Sequence, residues 1–231
     1  MYLCLVVTAN MMSNLIIVGA TSQAKLAHHY FRTDTEYNVI GFAVNREYIS
    51  SDNFDKLQLI ALEDLENDYP PDDVSLFVAV GYSDMNQKRA ALFKKCKEMG
   101  YFMPSYISTK CNYLSNIPPG ENCLILEDNT IQPYSEIGNN VTIWSGNHIG
   151  HDVKILDHCF ITSHVVISGF SKIGEYSFLG VNSTIRDGIE IGKCNLIGAG
   201  ATIMSSTQDN DVWMPPRSVK LSKSSNEIKI S

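Results

Sequence analysis

Residues 125–203 read ILEDNTIQPYSEIGNNVTIWSGNHIGHDVKILDHCFITSHVVISGFSKIGEYSFLGVNSTIRDGIEIGKCNLIGAGATI. An aliphatic side chain stands at every sixth position without a miss: Ile125, Ile131, Ile137, Ile143, Ile149, Ile155, Ile161, Ile167, Ile173, Leu179, Ile185, Ile191, Ile197 and Ile203. If about a quarter of positions are aliphatic, such a run arises by chance on the order of once in a hundred million sequences. The period is therefore structural. Two residues before the aliphatic site the side chain is often small (Ser135, Ser171, Ser177, Ser183, Ala201), and glycine often follows it (Gly138, Gly150, Gly174, Gly180, Gly192, Gly198). That is the composition expected of a tight corner. A six-residue repeat is one short strand plus one corner, and three repeats, about 18 residues, close a triangular coil with the aliphatic residues stacked inside. Each coil buries its row against its neighbours, so the expected solenoid is a stiff rod with no long loop between Ile125 and Ile203.

Upstream the pattern changes. Leu15–Val18 is an apolar run ending at Gly19, and residues 23–31 suit a helix, making a strand-turn-helix unit. Val39–Val44 reads as a second strand and residues 76–81 as a third. Residues 86–99 read as a helix with Leu92, Cys96 and Met99 on one stripe. Alternating strands and helices imply a small parallel sheet. The expected organisation is an α/β domain over 12–108, the coil over 109–210 and a tail over 211–231. Ligands of such sheets sit beyond the carboxyl ends of the strands, here residues 19–22, 44–46 and 81–86. The turn from Gly19 to Ala24 has only the first glycine of a dinucleotide fingerprint, and no acidic residue closes the second strand, which argues against NAD.

Composition narrows the function. With 44% hydrophobic and 19% charged residues the chain is an ordinary globular protein, and a net charge of −7 argues against a nucleic-acid partner. Six scattered cysteines without a C-x-x-C pair suggest reduced thiols in a cytoplasmic setting. The apolar start, Met1 to Ala9, lacks a basic flank and falls far short of the roughly 20 residues that span a bilayer. Residues 1–11 read as upstream sequence, with Met11 or Met12 a candidate start, and no membrane partner is expected.

The rungs resemble the left-handed β-helix of the hexapeptide acyltransferases, and with the α/β domain in front the chain is similar to nucleotide-sugar acetyltransferases of the bacillosamine and sialic-acid O-acetyltransferase type. The resemblance implies a left-handed coil, a homotrimer, and acetyl-coenzyme A in a groove between neighbouring coils. It implies a nucleotide-linked sugar on the N-terminal domain and no metal. It also implies a place in the synthesis of a surface polysaccharide such as O-antigen or lipopolysaccharide.

On the motif Trp144-Ser-Gly-Asn-His-Ile-Gly-His151-Asp152, His151 matches the family's catalytic histidine and Asp152 the acid after it. Acyl transfer from a thioester needs a base for the proton of the attacking amine or hydroxyl, and imidazole suits neutral pH. Asp152, or Asp157 nearby, would orient the ring. Stacking by one coil places Pro133 and Gly169 either side of His151, and by the resemblance Gly169 offers its N–H to the thioester carbonyl. Gly180, Ala199 and Gly200 match the pantetheine groove. Ala20, Thr21, Ser22, Asn45, Arg46 and Asn86 match the nucleotide contacts, Arg46 having the paired donors a diphosphate wants. His164 either reaches the acceptor sugar or fills a corner. His148 and His158 lie within one coil of His151, and Phe160 stands where the family often has a further histidine.

N-acetyl transfer to an amino sugar leads, and O-acetyl transfer is its near neighbour, since one base serves both. A zinc hydratase on the same rod needs histidines with a pair five residues apart, which positions 148, 151, 158 and 164 do not provide. A non-catalytic scaffold would show no coenzyme A binding.

Overall fold

A computed structural model describes residues 13–228; the expectation about residues 1–11 lies outside the described residues. The N-terminal sheet contains β1 (Asn14–Val18), β2 (Asn38–Val44), β3 (Asn53–Phe54), β4 (Leu57–Ala61) and β5 (Val74–Val78), in the order β3-β4-β2-β1-β5. β1 is an interior strand, with Leu15, Ile16, Ile17 and Val18 buried, which is why it reads as an unbroken apolar run. All pairings are parallel except β3 with β4, so the expected parallel sheet carries an antiparallel edge.

Helix α1 (Ser22–Asp34) lays Ala24, Ala27 and Phe31 on the sheet, and the Thr21 hydroxyl caps it by accepting from the Ala24 N–H at 3.4 Å. Between β4 and β5 lies the short α2 (Leu65–Asp68), and α3 (Gln87–Glu98) follows β5. β2 lies on one side of β1 and β5 on the other, so a crevice opens beyond their carboxyl ends.

The coil has three parallel faces. The first contains Tyr106–Ile107, Leu124–Ile125, Thr142–Ile143, Phe160–Ile161, Phe178–Leu179, Leu196–Ile197 and Val212–Trp213. The second runs from Asn112–Tyr113 through His148–Ile149 to Thr202–Ile203, and the third comprises Glu136–Ile137, Lys154–Ile155, Lys172–Ile173 and Glu190–Ile191. Strand pairing thus extends from Tyr106 to Trp213, a few residues beyond the expected 109–210 at either end. The aliphatic column stacks inside as one buried core.

The corners differ in detail from the sequence reading. Every sixth residue from Asn122 to Gly200, three places before each aliphatic site, has a positive φ, and most are Asn, Asp, His or Gly, which tolerate left-handed backbone best. A residue with a Cβ gives up about 1–2 kcal/mol there. The glycines after the aliphatic sites do not make the turn. They are small because the next rung presses on them: a Cβ on Gly150 would lie 2.6 Å from the Gly169 nitrogen. The buried serines two places before the aliphatic sites tie rungs together, Ser135 donating to the Gly150 carbonyl and Ser171 to that of Arg186.

The α/β domain sits on the first face. Phe31 and Phe77 share a core with Tyr106, Leu124 and Leu126 of the coil. From α3, the fully buried Arg89 donates to the Thr142 hydroxyl and to the carbonyls of His158 and Cys159, and burial lowers its pKa to about 10. Asn122 substitutes for a neighbouring strand at the outer edge of β5. Its amide accepts from the Val78 N–H at 2.7 Å and donates to the Val78 carbonyl at 3.1 Å. Asn122→Ala leaves both backbone groups unpaired and puts a Cβ-bearing residue without a local amide at φ 55. We expect a loss of about 2–5 kcal/mol in urea unfolding, partly recovered by Asn122→Gly.

Candidate active site

Two corners of the coil carry the candidate residues. His151 lies on the corner between the second and third faces, where its Nδ1 is 2.9 Å from Asp152 Oδ2. The imidazole is about half exposed. Its backbone N–H donates to Gln132 Oε1 at 2.9 Å, and the Phe170 ring meets it edge to face at 4.7 Å. Gly169, on the next rung, lies beneath the ring: a Cβ there would come within 2.9 Å of His151 Nε2. With Nδ1 occupied by a carboxylate, Nε2 is the nitrogen free to exchange a proton. The Gly169 N–H makes no hydrogen bond among the described residues. The arrangement combines a base, an orienting acid and an open backbone donor on one corner.

Asp157 does not join this group. It sits on the corner between the third and first faces, where Oδ1 accepts from the Asn139 N–H at 2.7 Å. The sequence reading that let Asp157 orient the ring is corrected: six residues along the coil is one corner away.

On the corner between the first and second faces a cleft of about 710 Å³ opens between coil and α/β domain. Thr21, Ser22, Gly81, Tyr82 and Ser83 line one wall, and Trp144, Phe160, Thr162, Ser163 and Val181 the other. Tyr82 stands against Phe160 at 5.0 Å and Phe178 at 4.8 Å, giving the cleft an aromatic floor. A second hollow of about 300 Å³, beyond the ends of β1 and β2, is lined by Ala20, Thr21, Asn45 and Tyr48. Ala20, Thr21, Ser22 and Asn45 thus all face one of the two hollows.

Arg46 and Asn86 line neither hollow, and the expectation for Asn86, which is fully buried, is corrected. The exposed Arg46 guanidinium meets Asp64 through one nitrogen at 2.6 Å, and its backbone N–H donates to Glu63. Asn86 is fully buried and donates to the Tyr176 carbonyl at 2.9 Å, clamping α3 to the coil. Sequence position shows that a residue follows a strand, but not what meets it there.

Gly180 and Ala199 stack on the cleft's corner, where a Cβ on Gly180 would lie 2.6 Å from the Ala199 nitrogen. Gly200 shares that corner, with φ 73 and open space where a Cβ would stand. These three therefore stand one face away from His151 and Gly169. His164 is exposed on the cleft's corner, its ring packed where Gly146 lacks a side chain. His148 points outward from the second face.

His158 is a joint residue. Its Nδ1 is 2.9 Å from Asn140 Nδ2, its ring lies 4.8 Å from Tyr176, and burial holds its pKa below the ordinary 6.5. The unfolded chain then takes up the proton more readily, so the stability this residue contributes is complete above pH 6.5 and is lost as pH falls toward the folded pKa. Melting temperatures of the wild type should therefore drop as pH falls below 6.5, and His158→Asn, which suits the left-handed corner, should flatten that drop.

Tyr82, Phe178, Gln132 and Phe170 are absent from the sequence reading. Spacing by one coil was the available signal, since Phe160 and Phe178 pair directly on the first face. Among the described residues no three His, Cys, Asp or Glu side chains converge as metal ligands, and no helix is long and apolar enough to cross a membrane.

Residues 134–169 and 170–205 match the family model described as bacterial transferase hexapeptide (six repeats). The acetyltransferase domain of PglB from Neisseria gonorrhoeae superposes with a TM-score of 0.77 at 20% identity, covering 86% of this chain and 95% of that one. A variant of perosamine N-acetyltransferase from Caulobacter crescentus, in complex with CoA and GDP-perosamine, gives 0.76 at 21% identity over 87% and 93%. An acyl-[acyl-carrier-protein]–UDP-N-acetylglucosamine O-acyltransferase from Stutzerimonas stutzeri is 30% identical over 76 residues, 32% of this chain. The match spans only 30% of that relative's own length. The likeness in fold makes the coil a left-handed β-helix behind an α/β domain, as the repeat pattern and the resemblance led one to expect.

Proposed function

We propose that the protein transfers an acetyl group from coenzyme A to the amine of a nucleotide-linked sugar, with His151 as general base. The observation that carries this reading is the His151 corner: Asp152 holds Nδ1, Nε2 lies over Gly169, and the Gly169 N–H is open. In the reaction Nε2 takes the proton as the amine nitrogen attacks the thioester carbon. The oxyanion then forms against the Gly169 N–H, and collapse expels the coenzyme A thiolate, which is protonated as the thiol. Asp152 keeps the proton on Nδ1 and stabilises the imidazolium. The likeness to proteins crystallised with acetyl coenzyme A, or with CoA and GDP-perosamine, supports the choice of donor and acceptor class.

The acceptor belongs in the cleft beyond β1 and β5. Thr21, Ser22 and Ser83 supply hydroxyl and backbone donors, and the aromatic floor faces the sugar ring. Ala20 and Asn45, at the adjoining hollow, serve the nucleotide. Gly180, Ala199 and Gly200 on the same corner leave space for the pantetheine arm.

Base and cleft stand on opposite edges of the second face, so a complete site needs another copy packed on it. The outward residues of that face, Asn112, Thr130, His148, Val166, Thr184 and Thr202, include no carboxylate or amine. The third face instead pairs Glu136 with Lys154 at 2.9 Å and Lys172 with Glu190 at 3.6 Å and belongs in water. A homotrimer with the second face inward brings the His151 corner of one copy beside the cleft corner of the next. The product would feed surface-polysaccharide synthesis in the cytoplasm.

The test is thiol release from acetyl-coenzyme A against a panel of nucleotide-linked amino and neutral sugars. Turnover should require an amino sugar, and His151→Ala should cut kcat by about a hundred- to ten-thousandfold with coenzyme A affinity nearly unchanged. Release with neutral sugars alone would make the protein an O-acetyltransferase. Wild-type turnover by His151→Ala would remove the base assignment.

A further inference from the structure

The left-handed corner residues separate by side chain. Most are Asn, Asp, His or Gly, Cys194 is small, and Tyr176 is covered by its contact with His158. Tyr134 and Phe170 are the exceptions: bulky aromatics at φ 66 and φ 59, 61% and 65% exposed. Both stand on the corner of His151, in the same column as Asp152, one rung to either side. A bulky side chain in this backbone region is disfavoured, and a ring exposed on its own chain regains little by burial within that chain. The fold alone would be better served at residue 170 by Asn.

What Phe170 does is touch His151. The two rings meet at 4.7 Å and 89°, the edge-to-face geometry that aromatic rings prefer. Asp152 restrains the imidazole at Nδ1, Gly169 underlies it, and Phe170 closes a third side, leaving the ring little freedom to swing into solvent. Tyr134 has no such contact, so it separates the cost of the backbone from the use of the ring.

We propose that Phe170 is a positioning residue for the reaction, holding the His151 imidazole in its transfer orientation at the expense of corner stability. This rests on the reading of His151 as base. A base displaced by a fraction of an ångström loses rate without losing substrate, so the effect belongs in kcat rather than KM.

The experiment uses the full chain, acetyl-coenzyme A and the nucleotide-linked amino sugar that turns over best in the panel. Phe170→Asn should lower kcat about tenfold, keep both KM values within about twofold, and melt no lower than the wild type, since Asn suits the left-handed corner. Phe170→Tyr, which keeps the ring, should restore the rate. Tyr134→Asn should share the thermal behaviour without the loss of rate. In a His151→Ala background Phe170→Asn should cost nothing further, because it acts through that ring.

Wild-type kcat in Phe170→Asn beside an inactive His151→Ala overturns the role of Phe170 and leaves the base in place. An undiminished His151→Ala overturns both. A rate loss that comes with a smaller assembly by light scattering, or with a lower melting temperature, makes Phe170 a structural residue and also overturns the proposal.

Discussion

Closing a coil from six-residue repeats places two demands on the backbone at once. It must turn through left-handed conformation at each corner, and three residues later it must point an aliphatic chain inward. When both are met the rung register has no freedom: His148 lies between Thr130 and Val166, and Ile149 between Ile131 and Ile167. The candidate site follows from that register. The residue over Gly169 must be residue 151, and the residue after it must be the one in left-handed backbone, which returns the Asp152 carboxylate to the imidazole.

The three faces then divide the work by what they expose. The first is covered by the α/β domain through the shared core of Phe31, Phe77, Tyr106 and Leu124, and by buried polar clamps from Asn86, Arg89 and Asn122. These clamps set the width of the cleft, because Arg89 also lies over the Phe160 ring, at 5.5 Å from its centroid. The charged pairs of the third face suit water, whereas the outward residues of the second face are mostly uncharged.

What could be read in the sequence was whatever repeats. The coil announces itself through Ile125 to Ile203, and β1 and β2 through buried runs. The turn was harder, because its signature is spread over Asn, Asp, His and Gly at one position, while the conspicuous glycines mark close stacking at another. β3 and β4 escaped because Asn53–Phe54 and Leu57–Ala61 are short and mixed in polarity. The meeting of His151 with Asp152 and Gly169 was legible because their neighbours are fixed by spacing. The burial of Asn86 was not, since the carbonyl beneath it comes from a distant part of the chain.

The unbroken period has an evolutionary side. Because each rung contacts only the rungs above and below, a whole turn of the coil could be added beyond Ile203 while His151, Gly169 and the cleft keep their neighbours. A single inserted residue between Pro133 and Gly169 is a different event, since it rotates everything after it by part of a turn and carries the imidazole off its glycine. Length in this fold is therefore free to drift in steps of a full coil, whereas the segment through the His151 corner tolerates almost no insertion or deletion at all.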